Sequence, residues 1–234
     1  MRDADQQQQK DKPHYQGHRA RLREKFLKGG PEALAEYELL ELLLFMAIPR
    51  RDVKPLAKGL IAHFGCYASV LSADTDDLLA FEGLSEGSVA AIKAVQASAR
   101  HLAREQVINK PVIASWDALV SYIRTAMAHQ RKEQFRLLFL DRKNKLIADE
   151  IQGEGTVDHA PVYPREVVKR ALDLGASALI LVHNHPSGDP APSKGDIAMT
   201  RDIVEACRSL DITVHDHIVV AKGGHASFKA MGLL

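Results

Sequence analysis

Cysteine is scarce in this sequence. Only two cysteines, Cys66 and Cys207, occur in 234 residues, and they are far apart in the chain. Neither belongs to a Cys-x-x-Cys pair. This number excludes a disulfide framework and any zinc site built from several thiolates. It also excludes a nucleobase deaminase of the type that carries a Cys-x-x-Cys pair after its His-x-Glu.

Long apolar segments are missing as well. The longest one, residues 39–48, is interrupted by Glu41 and is much shorter than the roughly 20 residues of a membrane-spanning helix. The N-terminus is polar (QQQQKDK) and does not contain the apolar core of a signal peptide. We therefore expect a cytoplasmic protein without a membrane partner.

The chain also lacks an excess of charge of either sign. It has 31 Lys or Arg against 30 Asp or Glu, so no global field attracts a polyanion. The charge is uneven, however, because residues 1–30 hold eight Lys or Arg and only four Asp or Glu. Hydrophobic residues make up 46% and charged residues 26%, which is typical of a globular protein and excludes a fibrous or disordered chain.

The apolar pattern divides the chain into three parts. Residues 1–17 are rich in Gln, Lys and Asp and predict a disordered tail. Residues 18–107 repeat their apolar positions at helical spacing and predict a small all-helical domain. Residues 112–234 alternate strands with helices, which predicts a mixed β-sheet flanked by helices and an α+β fold class. The predicted strands are 135–140, 146–151, 178–182 and 213–220. The predicted helices are 115–129, which precedes the strands, and 164–174 and 194–210, which lie between them.

Two histidines follow the most apolar predicted strand, in the stretch LVHNHPSGDPAPSKGD. Alternate residues of a strand share a face, so His183 and His185 can converge on one point. A turn rich in Pro and Gly follows, and a helix begins near Ser193 with Asp196 in its first turn. Two imidazoles and one carboxylate make a three-ligand zinc site with an open position for water. Ser193 and Asp196 alone also fit a helix cap, and the two roles are compatible.

At these residues the sequence resembles a known family. His183-x-His185-x7-Ser193-x2-Asp196 is similar to the JAMM motif of the MPN+ metalloprotease superfamily. The longer string, with VYPREVVKRAL before it and VHDHIVV after it, resembles the bacterial RadC family. The resemblance covers residues 112–234 and, with less specific residues, the helical segment before them. It implies a JAMM/MPN+ domain with a deaminase-like α/β/α layering, one Zn²⁺ held by His183, His185 and Asp196, and Ser193 as the donor to an oxyanion.

The resemblance also implies an upstream acid as the general base. Glu150 is the predicted base, because its strand position can hold a carboxylate near a metal-bound water. Asp149 and Glu154 remain alternatives, although Glu154 lies in a loop flanked by glycines. The implied activity is zinc-assisted hydrolysis of a peptide or isopeptide bond, with the substrate unidentified.

The second His-x-His of the sequence lies on the last predicted strand. It contains Asp216 and His217. We expect both residues to support the metal ligands without binding the metal, because metal-bound histidines often donate a hydrogen bond to a neighbouring group.

Two other functions stay open. The first is a DNA-associated accessory protein whose zinc domain is structural or binds a partner. The segment FEGLSEG resembles a helix-hairpin-helix, in which backbone N–H groups near Gly83 and Gly87 would face a phosphate. Glu82 and Glu86 would oppose a phosphate there, and the alternative is a helix–turn–helix corner that serves packing. A basic cluster precedes it, consisting of Arg19, Arg21, Arg23, Lys25 and Lys28. The second is a metal-dependent nuclease, for which Arg165 and Lys194 are the nearest phosphate-binding candidates.

Overall fold

The computed structural model describes residues 17–108, 110–155 and 162–234. The predicted tail lies outside the described residues, except for Gly17. The chain divides into two compact units between Val95 and Gln96. The sequence places the domain boundary further along, between residues 107 and 112.

The first unit is helical, as the sequence predicts. Its helices are α1 (His18–Gly29), α2 (Glu36–Ala47), α3 (Lys54–Phe64), α4 (Tyr67–Ser72), α5 (Thr75–Leu79) and the start of α6 (Glu86–Glu105), with a 3₁₀ turn at Pro31–Ala33. Leu40, Leu44 and Leu60 are fully buried in its core. The sequence does not predict α4, because six residues carry less than two turns of an apolar period.

The second unit contains the sheet. Its strands are β1 (Gln134–Leu140), β2 (Leu146–Glu154), β3 (Ala178–Asn184), β4 (Thr213–Ala221) and β5 (Gly224–Ser227). They lie in the order β2-β1-β3-β4-β5. β3 and β4 are parallel, whereas every other neighbouring pair is antiparallel. This topology confirms the predicted mixed sheet. The four residues of β5 are too few to give a period in the sequence.

Helices cover both faces of this sheet. A 3₁₀ turn (Val112–Ser115) leads into α7 (Trp116–Met127), which packs on one face, while α8 (Pro164–Asp173) and α9 (Lys194–Arg208) pack on the other. All seven residues of β3 are buried, as expected for a central strand covered on both sides. The α+β fold class with flanking helices is therefore confirmed.

The pairing of β1 with β3 decides which residues approach the end of β3. The two strands are antiparallel, and Phe135 at the start of β1 lies opposite His183. Whatever precedes β1 in the chain is consequently brought next to the residues that follow β3.

Candidate metal centre and adjoining cleft

His183 and His185 meet at the C-terminal end of β3. The backbone N–H of His185 donates to Val220 of β4 (2.9 Å), so the chain stays extended beyond the strand. Both imidazoles therefore point the same way. Their Nε2 atoms lie 2.9 Å apart.

Asp196 completes the cluster from the first turn of α9. The Ser193 hydroxyl oxygen accepts from the Asp196 N–H (3.1 Å), and Asp196 Oδ2 accepts from the Ser193 N–H (2.7 Å). The same carboxylate lies 3.5 Å from His183 Nε2 and 3.4 Å from His185 Nε2. The helix cap thus aims the carboxylate at the histidines, and the ligand atoms of all three residues lie within 4.8 Å of one another.

The charges in the cluster follow from these contacts. Burial alone would raise the pKa of Asp196, but its contacts with His183 and His185 outweigh burial and hold that pKa well below the usual range. The hydrogen bond with Asp196 raises the pKa of His185, against burial and with a smaller contribution from Glu133. Asp196 is therefore ionised, as a metal ligand must be.

A buried chain of hydrogen bonds lies behind His183. Thr200 Oγ1 donates to the Asp196 carbonyl (2.6 Å), so it accepts from His217 Nδ1 (2.6 Å). Burial lowers the pKa of His217 well below its usual value, with His183 as a further cause, so His217 is neutral. Its Nε2 then accepts from His183 Nδ1 (2.7 Å). This leaves the lone pair of His183 on Nε2, the atom that faces His185 and Asp196.

His185 has the same tautomer for a different reason. Its Nδ1 lies 2.9 Å from the carbonyl oxygen of Asp189, which can only accept, so Nδ1 carries the proton. Two Nε2 lone pairs that face each other require a proton or a metal ion near them. Two imidazoles and an ionised carboxylate also match a divalent-metal ligand set, so the residues fit a metal ion.

A cleft of about 490 Å³ opens in front of this cluster. His185, Asp196 and Ser193 line it, together with Glu133 and Lys222. Glu133 is only 8% exposed. Within the described ranges, its carboxylate forms no hydrogen bond or ion pair. The cleft therefore combines a possible metal site with a buried acid whose oxygens are available.

The structure does not bring Glu150 to this cleft. Glu150 lies on β2 opposite Leu137, whereas His183 lies on β3 opposite Phe135. Since β1 lies between β2 and β3, Glu150 is two strands away from His183 and is also displaced along the sheet. Its carboxylate instead accepts two hydrogen bonds from Arg170 of α8 (2.6 and 2.8 Å). The bond with Arg170 lowers the pKa of Glu150.

The two alternative acids are also engaged elsewhere. Asp149 accepts from Arg136 (2.8 and 2.9 Å) and from the Tyr122 hydroxyl. Burial, with the Asp149 charge next, raises the pKa of that hydroxyl to about 12. Glu154 accepts from the Gln134 side chain (2.8 Å).

Sequence reasoning missed Glu133, which is the acid directly before β1.

Comparison with known proteins places this arrangement in a family. Residues 113–233, more than half of the chain, match the model of the RadC-like JAB domain. The chain belongs to the RadC family. Residues 16–90 match the UPF0758 N-terminal model. A UPF0758 protein of Rhodobacter capsulatus is 60% identical over 213 residues, which span 91% of this chain and 100% of the relative.

In this RadC-family chain, Asp216 and His217 both lie in the interior. His217 contacts His183 directly, as described above. Asp216 accepts from the His217 N–H (2.8 Å), the Lys229 N–H (2.9 Å) and the Ser227 hydroxyl. Asp216 therefore ties β4 to the end of β5 and supports His217 through its backbone.

The residues suggested for DNA contact are largely engaged within the helical unit. The Arg19 guanidinium donates to carbonyls at the end of α2, Lys25 pairs with Glu38 (2.7 Å) and Lys28 pairs with Glu24 (2.6 Å). Arg21 and Arg23 are exposed on α1. DNA binding stays a prediction.

The segment that resembles a helix-hairpin-helix joins α5 to α6. Gly83 has a φ of 96°, and its carbonyl accepts from Arg51 (3.3 Å). Gly87 lies in the first turn of α6. A side chain at position 83 would meet the Arg51 guanidinium and Leu56, so glycine here serves the packing of the turn.

The nuclease candidates do not line the cleft. Arg165 pairs with Glu166 (3.1 Å) and lies over the Tyr163 ring, and Lys194 begins α9. In the part of the chain that the structure describes, no helix is both long and apolar enough to cross a membrane.

Proposed function

We propose that this RadC-family protein is a zinc-dependent hydrolase of peptide or isopeptide bonds. The observation that supports the proposal most strongly is the convergence of His183, His185 and Asp196 on a cleft that also contains the buried carboxylate of Glu133, which has no hydrogen-bond partner among the described residues. Hydrolysis of an unactivated amide needs both an activated water and a group that moves its proton. This cleft offers residues for both tasks.

His183, His185 and Asp196 are the proposed zinc ligands. Two imidazoles and a carboxylate suit zinc, and three protein ligands leave a position for water. Bound zinc lowers the pKa of such a water to about 7 and polarises a carbonyl group.

Glu133 is the proposed general base, in place of Glu150. Its buried carboxylate has no competing partner in the described chain and can take a proton from the attacking water and return it to the leaving amine. Glu150 is less suited, because two hydrogen bonds from Arg170 satisfy its oxygens and lower its pKa, which weakens it as a base.

Ser193 is the proposed oxyanion donor. Its oxygen accepts from the Asp196 N–H, while its own hydroxyl proton has no acceptor among the described residues. Since Ser193 lines the cleft, that proton can donate to the oxygen of a tetrahedral intermediate. One such donor is typically worth about 10²–10³ in rate.

Substitution of the two candidate acids tests this proposal. Zinc-loaded wild type, Glu133→Gln and Glu150→Gln are compared on internally quenched peptides and on peptides joined through a lysine side chain. We expect Glu133→Gln to lower kcat by roughly 10²–10⁴, because the proton acceptor is lost. Glu150→Gln retains most of the activity, since it changes only an ion pair between β2 and α8.

Two results of this comparison would contradict the proposal. Absence of hydrolysis by zinc-loaded wild type on both classes of probe contradicts the proposed function. An equal loss of kcat in both variants contradicts the assignment of Glu133.

A further inference from the structure

We propose that Asn184, which lies between the two histidines, is the positioning residue of Glu133. The end of β3 then supports both parts of the site, because His183 and His185 face the metal position while Asn184 holds the segment that carries the acid. The catalytic part of this inference, that Asn184 positions a general base, rests on the proposed function. Its structural part is independent of that function.

Asn184 is buried, and the hydrogen bonds of its side-chain amide all go to the backbone of residues 130–134. It is 1% exposed, and the period of the strand turns its side chain away from the two imidazoles. Its Oδ1 accepts from the Gln134 N–H (2.9 Å), and its Nδ2 donates to the Lys132 carbonyl (3.1 Å). A longer contact of 3.5 Å reaches the Gln130 carbonyl.

The two shorter bonds enclose Glu133. The Lys132 carbonyl and the Gln134 N–H belong to the two peptide groups that flank residue 133. In the β1–β3 ladder Phe135 lies opposite His183, so Gln134 would next lie opposite Asn184. At this position the Asn184 side chain provides the acceptor and the donor that a strand backbone would provide. The hydrogen bonding between β1 and β3 therefore continues as far as Glu133.

At its opposite edge, the segment around Glu133 is hydrogen-bonded to the chain at the end of β2. The Gly155 N–H at the end of that strand donates to the Glu133 carbonyl (2.9 Å). The backbone on both sides of residue 133 is therefore fixed by hydrogen bonds from two strands. A fixed backbone limits the directions in which the side chain can point, which preorganises the carboxylate in the cleft.

Only an amide of this length fits these contacts. An ionised Asp would keep the acceptor for Gln134 but would place a second oxygen against the Lys132 carbonyl. An Ala would remove the acceptor of the Gln134 N–H and the donor that Asn184 offers to the Lys132 carbonyl. Neither change touches a proposed metal ligand.

The structural test is hydrogen exchange on the full-length, zinc-loaded chain. In Asn184→Ala we expect the amide of Gln134 to exchange roughly tenfold faster, because it loses its acceptor. The amides of β4 and the zinc content should match those of wild type. Asn184→Asp keeps that acceptor but repels the Lys132 carbonyl, so the Gln134 amide should exchange faster than in wild type and more slowly than in Asn184→Ala. It serves as the second variant if the alanine variant misfolds. Exchange of Gln134 at the wild-type rate in either variant that folds would overturn the inference.

The catalytic test uses the quenched peptide that wild type cleaves fastest. Asn184→Ala should lower kcat on the order of 100-fold with an unchanged KM, because the acid is displaced while binding is retained. The double variant with Glu133→Gln should be no slower than Glu133→Gln alone. A fully additive loss in the double variant overturns the inference, because Asn184 would then act through another group.

A matched control and the exchange data separate this inference from the proposed function. Asn144→Gly removes another amide, which bonds His215 away from the cleft (2.6 Å), at a φ of 58° that glycine adopts freely. Its kcat and its exchange at Gln134 should equal those of wild type. If zinc-loaded wild type cleaves no probe, the proposed function fails, and the exchange of Gln134 still decides whether Asn184 holds the segment of Glu133.

Discussion

The tautomer of His183 depends on residues that do not belong to the ligand cluster. Thr200 must accept from His217 because its own proton goes to the Asp196 carbonyl, and His217 must then accept from His183. The Phe135 and Phe228 rings pack against His217 and keep water away from it. One hydroxyl on α9 thereby determines which nitrogen of His183 can bind a metal ion.

Thr200→Val should weaken zinc binding roughly 10- to 100-fold, as loss of an outer hydrogen-bond partner typically does. Valine has nearly the same shape but leaves the buried His217 N–H without an acceptor. Thr200→Ser keeps the hydroxyl and should bind zinc like wild type. Competition with a chelator of known affinity measures the difference. Equal zinc affinities of the Val and Ser variants would contradict the role given to this hydrogen-bond chain.

Among the elements, α1 and α2 show how a sequence feature can serve folding instead of binding. The guanidinium of Arg19 donates to the carbonyls of Phe45 (3.3 Å), Ile48 (2.6 Å) and Arg51 (2.6 Å), and it lies 4.5 Å from the centre of the Phe45 ring. A cation at the C-terminus of a helix satisfies its last carbonyls and is favoured by the helix dipole.

Arg19→Ala should therefore lower the free energy of unfolding of the helical unit by about 1–3 kcal/mol, because charged hydrogen bonds to the end of α2 are lost. Arg23→Ala is the matched control, since this exposed arginine has no hydrogen bond or ion pair in the described ranges, and it should change stability by less than about 0.5 kcal/mol. Calorimetry of the full chain measures both. Equal stability of the two variants would contradict the capping role of Arg19.

At the scale of the whole molecule, most of the architecture can be predicted from local patterns in the sequence. The buried strand β3, the alternation of strands with helices and the cluster of His183, His185 and Asp196 all depend on residues close together in the chain. A strand period, a helix cap and a short motif are enough to predict them. The family resemblance adds the expected metal and activity.

The acid could not be placed in the same way, because it depends on strand order. Glu133 is 50 residues from His183 and reaches the cleft only because β1 pairs antiparallel with β3. The sequence shows that β1 and β2 are strands but does not specify their neighbours or register. Asn184 was missed for the same reason, since its partners precede β1.

If His183, His185 and Asp196 form one metal site, the zinc content per chain must depend on them. Protein purified without metal-affinity resin should carry about one zinc per chain in wild type and in His225→Ala, an exposed histidine outside the cluster. The variant with both His183→Ala and His185→Ala should carry none. Equal zinc content in wild type and in the double variant, or no zinc bound by wild type even after zinc is added, would show that these three residues do not form a metal site.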